Sequence, residues 1–133
     1  MRLVNKLIKN NKGQASVELA LVLPLLLFLL LGMVDFGRIM NAYLITNQAS
    51  REGVRQAAVG KTDTEITYTV EQTAASLDSS TMQINIQPQQ SERKRGAVAQ
   101  VTVSCEIGII TPLISQVVSN PFIVECSTSM RVE

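Results

Sequence analysis

Few side chains in this sequence could do chemistry, and one of them stands in an odd place. Glu18 lies at the mouth of a run of sixteen residues without a charge, Leu19 to Val34. A carboxylate deep in a bilayer costs about 2.5–3.5 kcal/mol on insertion scales, so Glu18 must either be compensated or stay near water. Asp35 and Arg38 follow the run, three residues apart, at the spacing of neighbours on one helix face. They read as a surface ion pair at the exit from the apolar run, worth well under about 1 kcal/mol. Ser and Thr are plentiful, but the chain has no histidine to activate them, and histidine is the commonest general base and metal ligand. There is no Gly-rich phosphate loop, no pair of carboxylates flanking an obvious cleft, and no Cys-x-x-Cys. The expectation is a protein that is not an enzyme and that carries no cofactor and no metal.

The charge distribution says where the apolar run belongs. Net charge is +1 over 133 residues, yet Arg2, Lys6, Lys9 and Lys12 all precede the run with no acid among them. Residues 14–133 hold eight basic and eleven acidic side chains, a balance of −3, so no basic face suited to nucleic acid is indicated. Val17 to Phe36 is twenty residues, or roughly 30 Å of helix at a rise of about 1.5 Å each, enough to span a hydrocarbon core. A cleavable secretory signal has a shorter apolar region, about 7–15 residues, ending in a small-x-small site. No such site follows here, and a single-pass anchor is the better reading. Cations on the N-terminal side set that end in the cytoplasm and the remainder outside. Pro24 inside the run removes one backbone donor; it marks either a bend or a tolerated kink.

The elements beyond the run must then present a head. No proline occurs from Asp35 to Val59, and Phe36, Ile39, Met40, Tyr43 and Leu44 recur at helical spacing, so the membrane helix is expected to continue outward. Ala42, Ala49, Gly53, Ala57 and Gly60 form a second stripe of small residues, open to close approach either by another subunit's helix or by the chain's own sheet. Gly60 suits the helix end. Thr62 or Asp63 can cap a second helix carrying Ile66, Val70, Ala74 and Leu77. Alternating patterns over Thr81 to Gln87, over Ala97 to Ile107 and over Phe122 to Val132 predict three strands. Arg93, Lys94 and Arg95 fall in the loop between the first two and read as a solvated tip. Thr111 to Asn120, with a proline second, reads as a short helix. Cys105 and Cys126 sit on the apolar faces of neighbouring strands. Outside the cytoplasm they could close a disulfide worth about 3 kcal/mol if the register allows, or remain two buried thiols.

The N-terminal motifs also carry a resemblance. A short basic leader, then Gly13, then Gln14-Ala15-Ser16-Val17-Glu18 and the apolar run resembles a type IV-pilin-like (class III) signal. Gly13-Gln14, Val17-Glu18, Leu23-Pro24, Asp35-Phe36-Gly37-Arg38 and Arg51-Glu52-Gly53 closely resemble the TadE-like family, minor pseudopilins of tight-adherence (Tad, Flp-type) pilus systems. The resemblance covers about a third of the chain. It implies cutting between Gly13 and Gln14 by a prepilin peptidase on the cytoplasmic face. If that cut is made, Gln14 carries a new ammonium and Glu18, at i+4, lies one turn on along the same face. Glu18 would compensate its own amine or that of a neighbouring subunit, and in trans would set the axial register. Otherwise it snorkels at the interface, or Lys9 or Lys12 supplies its counter-charge in an uncut chain. Pro24, Asp35, Arg38, Ala42, Ala49, Gly53 and Ala57 are the candidate helix-packing positions.

The expected fold class is α+β. A long N-terminal membrane-spanning helix, a pilin-like spine, carries a small antiparallel sheet of about three strands with one or two short helices. The expected organisation is a basic prepilin-type leader (1–13), a transmembrane segment (14–36), an extracytoplasmic continuation of the helix (37–60) and a small head (61–133). The expected function is structural: a minor pseudopilin-like component of a Tad-type pilus or a related secretion apparatus in the cytoplasmic membrane. The partners implied by the resemblance are the prepilin peptidase, the major pilin, a second pseudopilin and the pilus assembly platform. A different class of function is an uncleaved single-pass surface protein whose head binds an extracellular ligand or wall component.

Overall fold

A Leu-rich run followed by twenty-odd residues free of proline has no reason to stop being helical, and it does not. In the computed structural model, which describes residues 11–112 and 114–133, the first helix, α1 (Asn11–Ala58), runs 48 residues without a break, about 72 Å at 1.5 Å per residue. It passes straight through Pro24. The cations Arg2, Lys6 and Lys9 of the basic leader lie outside the described residues. The helix ends where Gly60 takes a φ of 78°. There the Gly60 N–H donates to the Ala57 carbonyl and the Lys61 N–H to that of Gln56, both at 3.1 Å, which satisfies two of the last free carbonyls.

Two residues later the chain starts α2 (Asp63–Thr73). Thr62 and Glu65 form a reciprocal cap: the Glu65 N–H donates to Thr62 Oγ1 at 3.3 Å, and the Thr62 N–H donates to Glu65 Oε2 at 3.0 Å. Lys61 Nζ adds a 3.0 Å contact to Glu65 Oε1. The Thr62 backbone bond, then the Lys61 and Thr62 side chains, hold the Glu65 carboxyl down at about 2. Because the folded value is depressed, this cap stabilises the head fully above the unfolded value near 4.5 and fades as pH falls toward 2. Glu65→Gln is therefore expected to lower head stability at neutral pH, with the difference from wild type vanishing in acid. Denaturant titrations of the two proteins across that pH range check it; a gap that stays constant would refute it.

The sheet is a plain antiparallel meander of β1 (Gln83–Gln87), β2 (Val98–Ile107) and β3 (Phe122–Arg131) in that order. The alternation read in the sequence is the alternation of burial. Ala99, Val101, Val103 and Cys105 of β2 and Val124 and Cys126 of β3 turn inward. Gln100, Thr102 and Ser127 turn out and bond to one another. One face of the sheet packs on α1 and α2, with Ile66 and Val70 of α2, Ala74 just beyond its end and Val54 of α1 in the core. α2 is shorter than the periodicity predicts, ending at Thr73, although Leu77 still packs on the core. The fold is thus α+β, a long helix bearing a three-stranded sheet and one short helix.

Two local expectations fail for a shared reason: long-range partners claim groups that the sequence leaves to solvent or to a helix. Among its described residues, Thr111 to Asn120 forms one 3₁₀ turn, Ile114–Gln116. Its ends are tied instead of wound, the Ile109 N–H donating to Asn120 Oδ1 at 3.1 Å and the next two amides going to Asp35. Arg93, expected at a solvated tip, has a buried side chain paired with Asp63. It also donates to the carbonyls of Pro88 at 3.2 Å and Lys61 at 2.9 Å. The guanidinium's several donors let it tie its own loop at Pro88 to the 61–63 turn before α2, while Lys94 and Arg95 stay exposed.

Candidate functional site: the helical spine and its uncovered face

Along α1 the burial pattern inverts the usual amphipathic helix. The face that meets the head is built mostly of small and polar side chains, Ala42, Thr46, Ala49, Ser50, Gly53 and Ala57, with Val54 the one larger apolar residue of α1 fully buried there. Ala42, Ala49 and Ala57 are at most 1 % exposed, whereas Phe36 is 65 %, Leu44 58 %, Tyr43 46 % and Met40 42 % exposed. Small residues let the helix axis come close to the sheet. The closest approach is at Gly53, where a Cβ would stand 2.6 Å from Val70 Cγ2 of α2 and 3.1 Å from Val101 Cγ1 of β2. Ser50 Oγ is 2.8 Å from Thr128 Oγ1 of β3. Of the two roles left open for the small stripe, it serves the chain's own sheet. The large apolar side chains are left pointing away, and beside them Ile39, Met40 and Tyr43 line a shallow groove with Phe122 and Ile123 at the free edge of β3.

Asp35 and Arg38 pair as expected, but the acid is buried and both side chains also hold a third segment. Asp35 is 2 % exposed and accepts the Ile110 N–H at 3.1 Å and the Thr111 N–H at 2.8 Å. Arg38 reaches Asp35 only at 3.5 Å and spends its better bond, 2.9 Å, on the Gly108 carbonyl. Together they latch the β2–β3 connection to the spine, seventy and more residues away in sequence. Nothing local reveals this, since an acid and a base at i,i+3 look the same whether or not a third segment arrives. Asp35→Ala is expected to speed amide exchange at Ile110 and Thr111 by roughly ten- to a hundredfold, as for loss of hydrogen bonds to a charged acceptor. Protection at the centre of β2 should change far less. Equal loss at both places would mean that Asp35 holds the whole head and is no local latch.

At the other end, Glu18 is exposed, and Gln14 Nε2 donates to its Oε1 at 3.4 Å. The i+4 geometry therefore puts position 14 and the carboxylate on one helix face. Val17 to Val34 carries no packing from the head over most of its length; its leucines are 38–74 % exposed. Among the described residues one helix, Gly13–Ala58, is long and apolar enough to cross a membrane.

Cys105 and Cys126 are both buried and both free. The register pairs Cys105 with Val124 and Val103 with Cys126, so the two sit on the diagonal, where side chains are farther apart than in directly opposed positions. Burial, with Glu125 alongside, pushes the Cys126 thiol up, which disfavours the reactive thiolate.

These features define a class of protein: a long helical spine, apolar enough over its first half to cross a membrane, that turns large apolar side chains outward and mostly small ones toward a modest α+β head. Residues 13–55 match the family model of TadE-like proteins, a match that covers most of the spine and does not reach the sheet or the second helix. No curated protein and no solved structure matches the chain.

Proposed function

We propose that this protein is a minor pseudopilin-like structural component of a Tad-type pilus or a related secretion apparatus. It acts by helix-to-helix association along its spine. The observation that carries the reading is the uncovered apolar face of α1 beyond the apolar run, Phe36, Met40, Tyr43 and Leu44. A helix that has its own sheet available and yet turns its large side chains away from it is shaped to receive other helices. In this reading residues 14–36 span the cytoplasmic membrane, the N-terminus is cytoplasmic and the head extracytoplasmic. A prepilin peptidase cuts between Gly13 and Gln14, the new Gln14 amine faces Glu18, and Glu18 sets the register against neighbouring subunits. The major pilin, a second pseudopilin and the assembly platform are its partners.

The mature N-terminus tests this most directly. Expression beside a prepilin peptidase should yield a mass lacking Met1–Gly13, with Gln14 first. An intact chain under those conditions would favour the uncleaved surface protein instead.

A further inference from the structure

The β2–β3 connection is uncharged from Ile107 to Val124, eighteen residues between Glu106 and Glu125. Its path is set by the spine. Arg38 holds the Gly108 carbonyl, Asp35 holds the Ile110 and Thr111 amides, and Ile114 Cδ1 comes within 3.5 Å of where a Cβ on Gly32 would stand. The connection thus runs down α1 from Arg38 to Gly32. Gly32 lies four residues inside the end of the proposed span at Phe36, about 6 Å along the axis, which falls within the 5–10 Å depth of interfacial segments.

We propose that this connection dips into the head-side leaflet of the membrane, with Ile110 and Val117 seated among lipid. The inference rests on the reading of residues 14–36 as the span. Ile110 is 58 % and Val117 87 % exposed. Ile110 is held at Asp35, and Val117 donates its amide to Ile114, which reaches Gly32; between those two positions Met33 and Val34 of α1 are also uncovered by protein, so the lipid that covers the spine there also meets the loop. Six of the connection's backbone amides have partners within the chain. Irregular chain survives in hydrocarbon only when its polar groups are satisfied. Here the Ile109 amide goes to Asn120, those of Ile110 and Thr111 to Asp35, Ser115 to the Thr111 carbonyl, and Val117 and Val118 to the Ile114 carbonyl. Pro112 has no donor to satisfy. Asp35 thereby gains a reason to be buried at the membrane boundary: it caps the amides of a loop that water does not reach. The spine and the loop together anchor the head at two points and fix its tilt.

The chain contains no tryptophan, so single tryptophans report their own surroundings. Full-length Val117→Trp, Leu27→Trp and Val98→Trp proteins would be reconstituted in phosphatidylcholine vesicles, plain or with acyl chains brominated near the carbonyl end. Leu27 marks the span. Val98 is 57 % exposed at the start of β2, the end of the sheet remote from the loop. Val117→Trp should emit to the blue of Val98→Trp and lose most of its emission to the brominated chains, while Val98→Trp is unaffected. If Leu27→Trp is quenched and Val117→Trp behaves like Val98→Trp, the loop inference is overturned and the span stands. A blue-shifted but unquenched Val117→Trp would place another protein chain on the loop and also overturn it. Quenching of Val98→Trp to the same degree would mean that the whole head lies on the bilayer, against a specific dip. An unquenched Leu27→Trp would overturn the span reading and the inference together.

Discussion

Gly53→Val is expected to unfold the head while leaving the apolar half of the spine helical. At Gly53 the helix touches both other layers, and even a methyl there would stand 2.6 Å from Val70 Cγ2 and 3.1 Å from Val101 Cγ1. Neither neighbour can retreat easily, since Val70 and Val101 are fully buried and β-branched side chains are stiff. Overpacking of this kind costs about 1–3 kcal/mol and occasionally more. Valine brings two further carbons, so a loss of about 3 kcal/mol or more is expected. Against a stability of roughly 0.05–0.15 kcal/mol per residue, a head of this size has little to spare. Gly53→Ala should be milder, because removing a mid-helix glycine returns about 0.5–1 kcal/mol. Amide exchange in detergent would read both variants: protection should collapse across β2 in the valine variant and fall partly in the alanine variant. An undisturbed β2 in Gly53→Val would show that α1 does not pack on the sheet at this closeness.

Glu18→Ala is expected to spare membrane insertion and yet abolish assembly. Removing a carboxylate from the mouth of an apolar run makes insertion easier, since the charge is what the bilayer resists. Register is another matter. Gln14 and Glu18 share a helix face, and a cut after Gly13 would put an ammonium one turn from the carboxylate. Pairing between subunits at that point would give an otherwise featureless leucine surface a single preferred axial alignment, as buried polar groups do in coiled coils. Glu18→Gln, which keeps the shape and loses the charge, should also fail to assemble if charge pairing sets the register. Both variants would be followed by membrane fractionation and by counting pili on cells. Normal pili with either variant would remove the register role while leaving the span untouched.

The two variants divide the molecule as its physics does. Gly53 governs how the head is held to the spine, and Glu18 how one spine would meet the next. Asp35 lies between these regions, at the level where the head's longest loop returns to α1.

What the sequence settles alone is what short-range rules decide. Sixteen uncharged residues followed by a proline-free stretch predict one long helix over 14–60, and the structure has it from Asn11 to Ala58, because an i to i−4 bond needs nothing beyond its own segment. Gly60 and the Thr62–Glu65 cap are legible for the same reason, each being complete within four residues. Strand alternation names the inward faces of β2 and β3, since period two is intrinsic to a pleated chain. Only the tertiary structure decides which face of α1 the sheet takes, and it takes the small one, leaving Phe36, Met40, Tyr43 and Leu44 outside. Periodicity shows both stripes but cannot rank them, because the choice depends on how closely a backbone seventy residues away can approach. The same holds for Asp35 on the Ile110 and Thr111 amides, for Arg93 on Asp63, and for the diagonal placing of Cys105 and Cys126. Each of these partnerships joins segments that the chain brings together only after its local elements have formed.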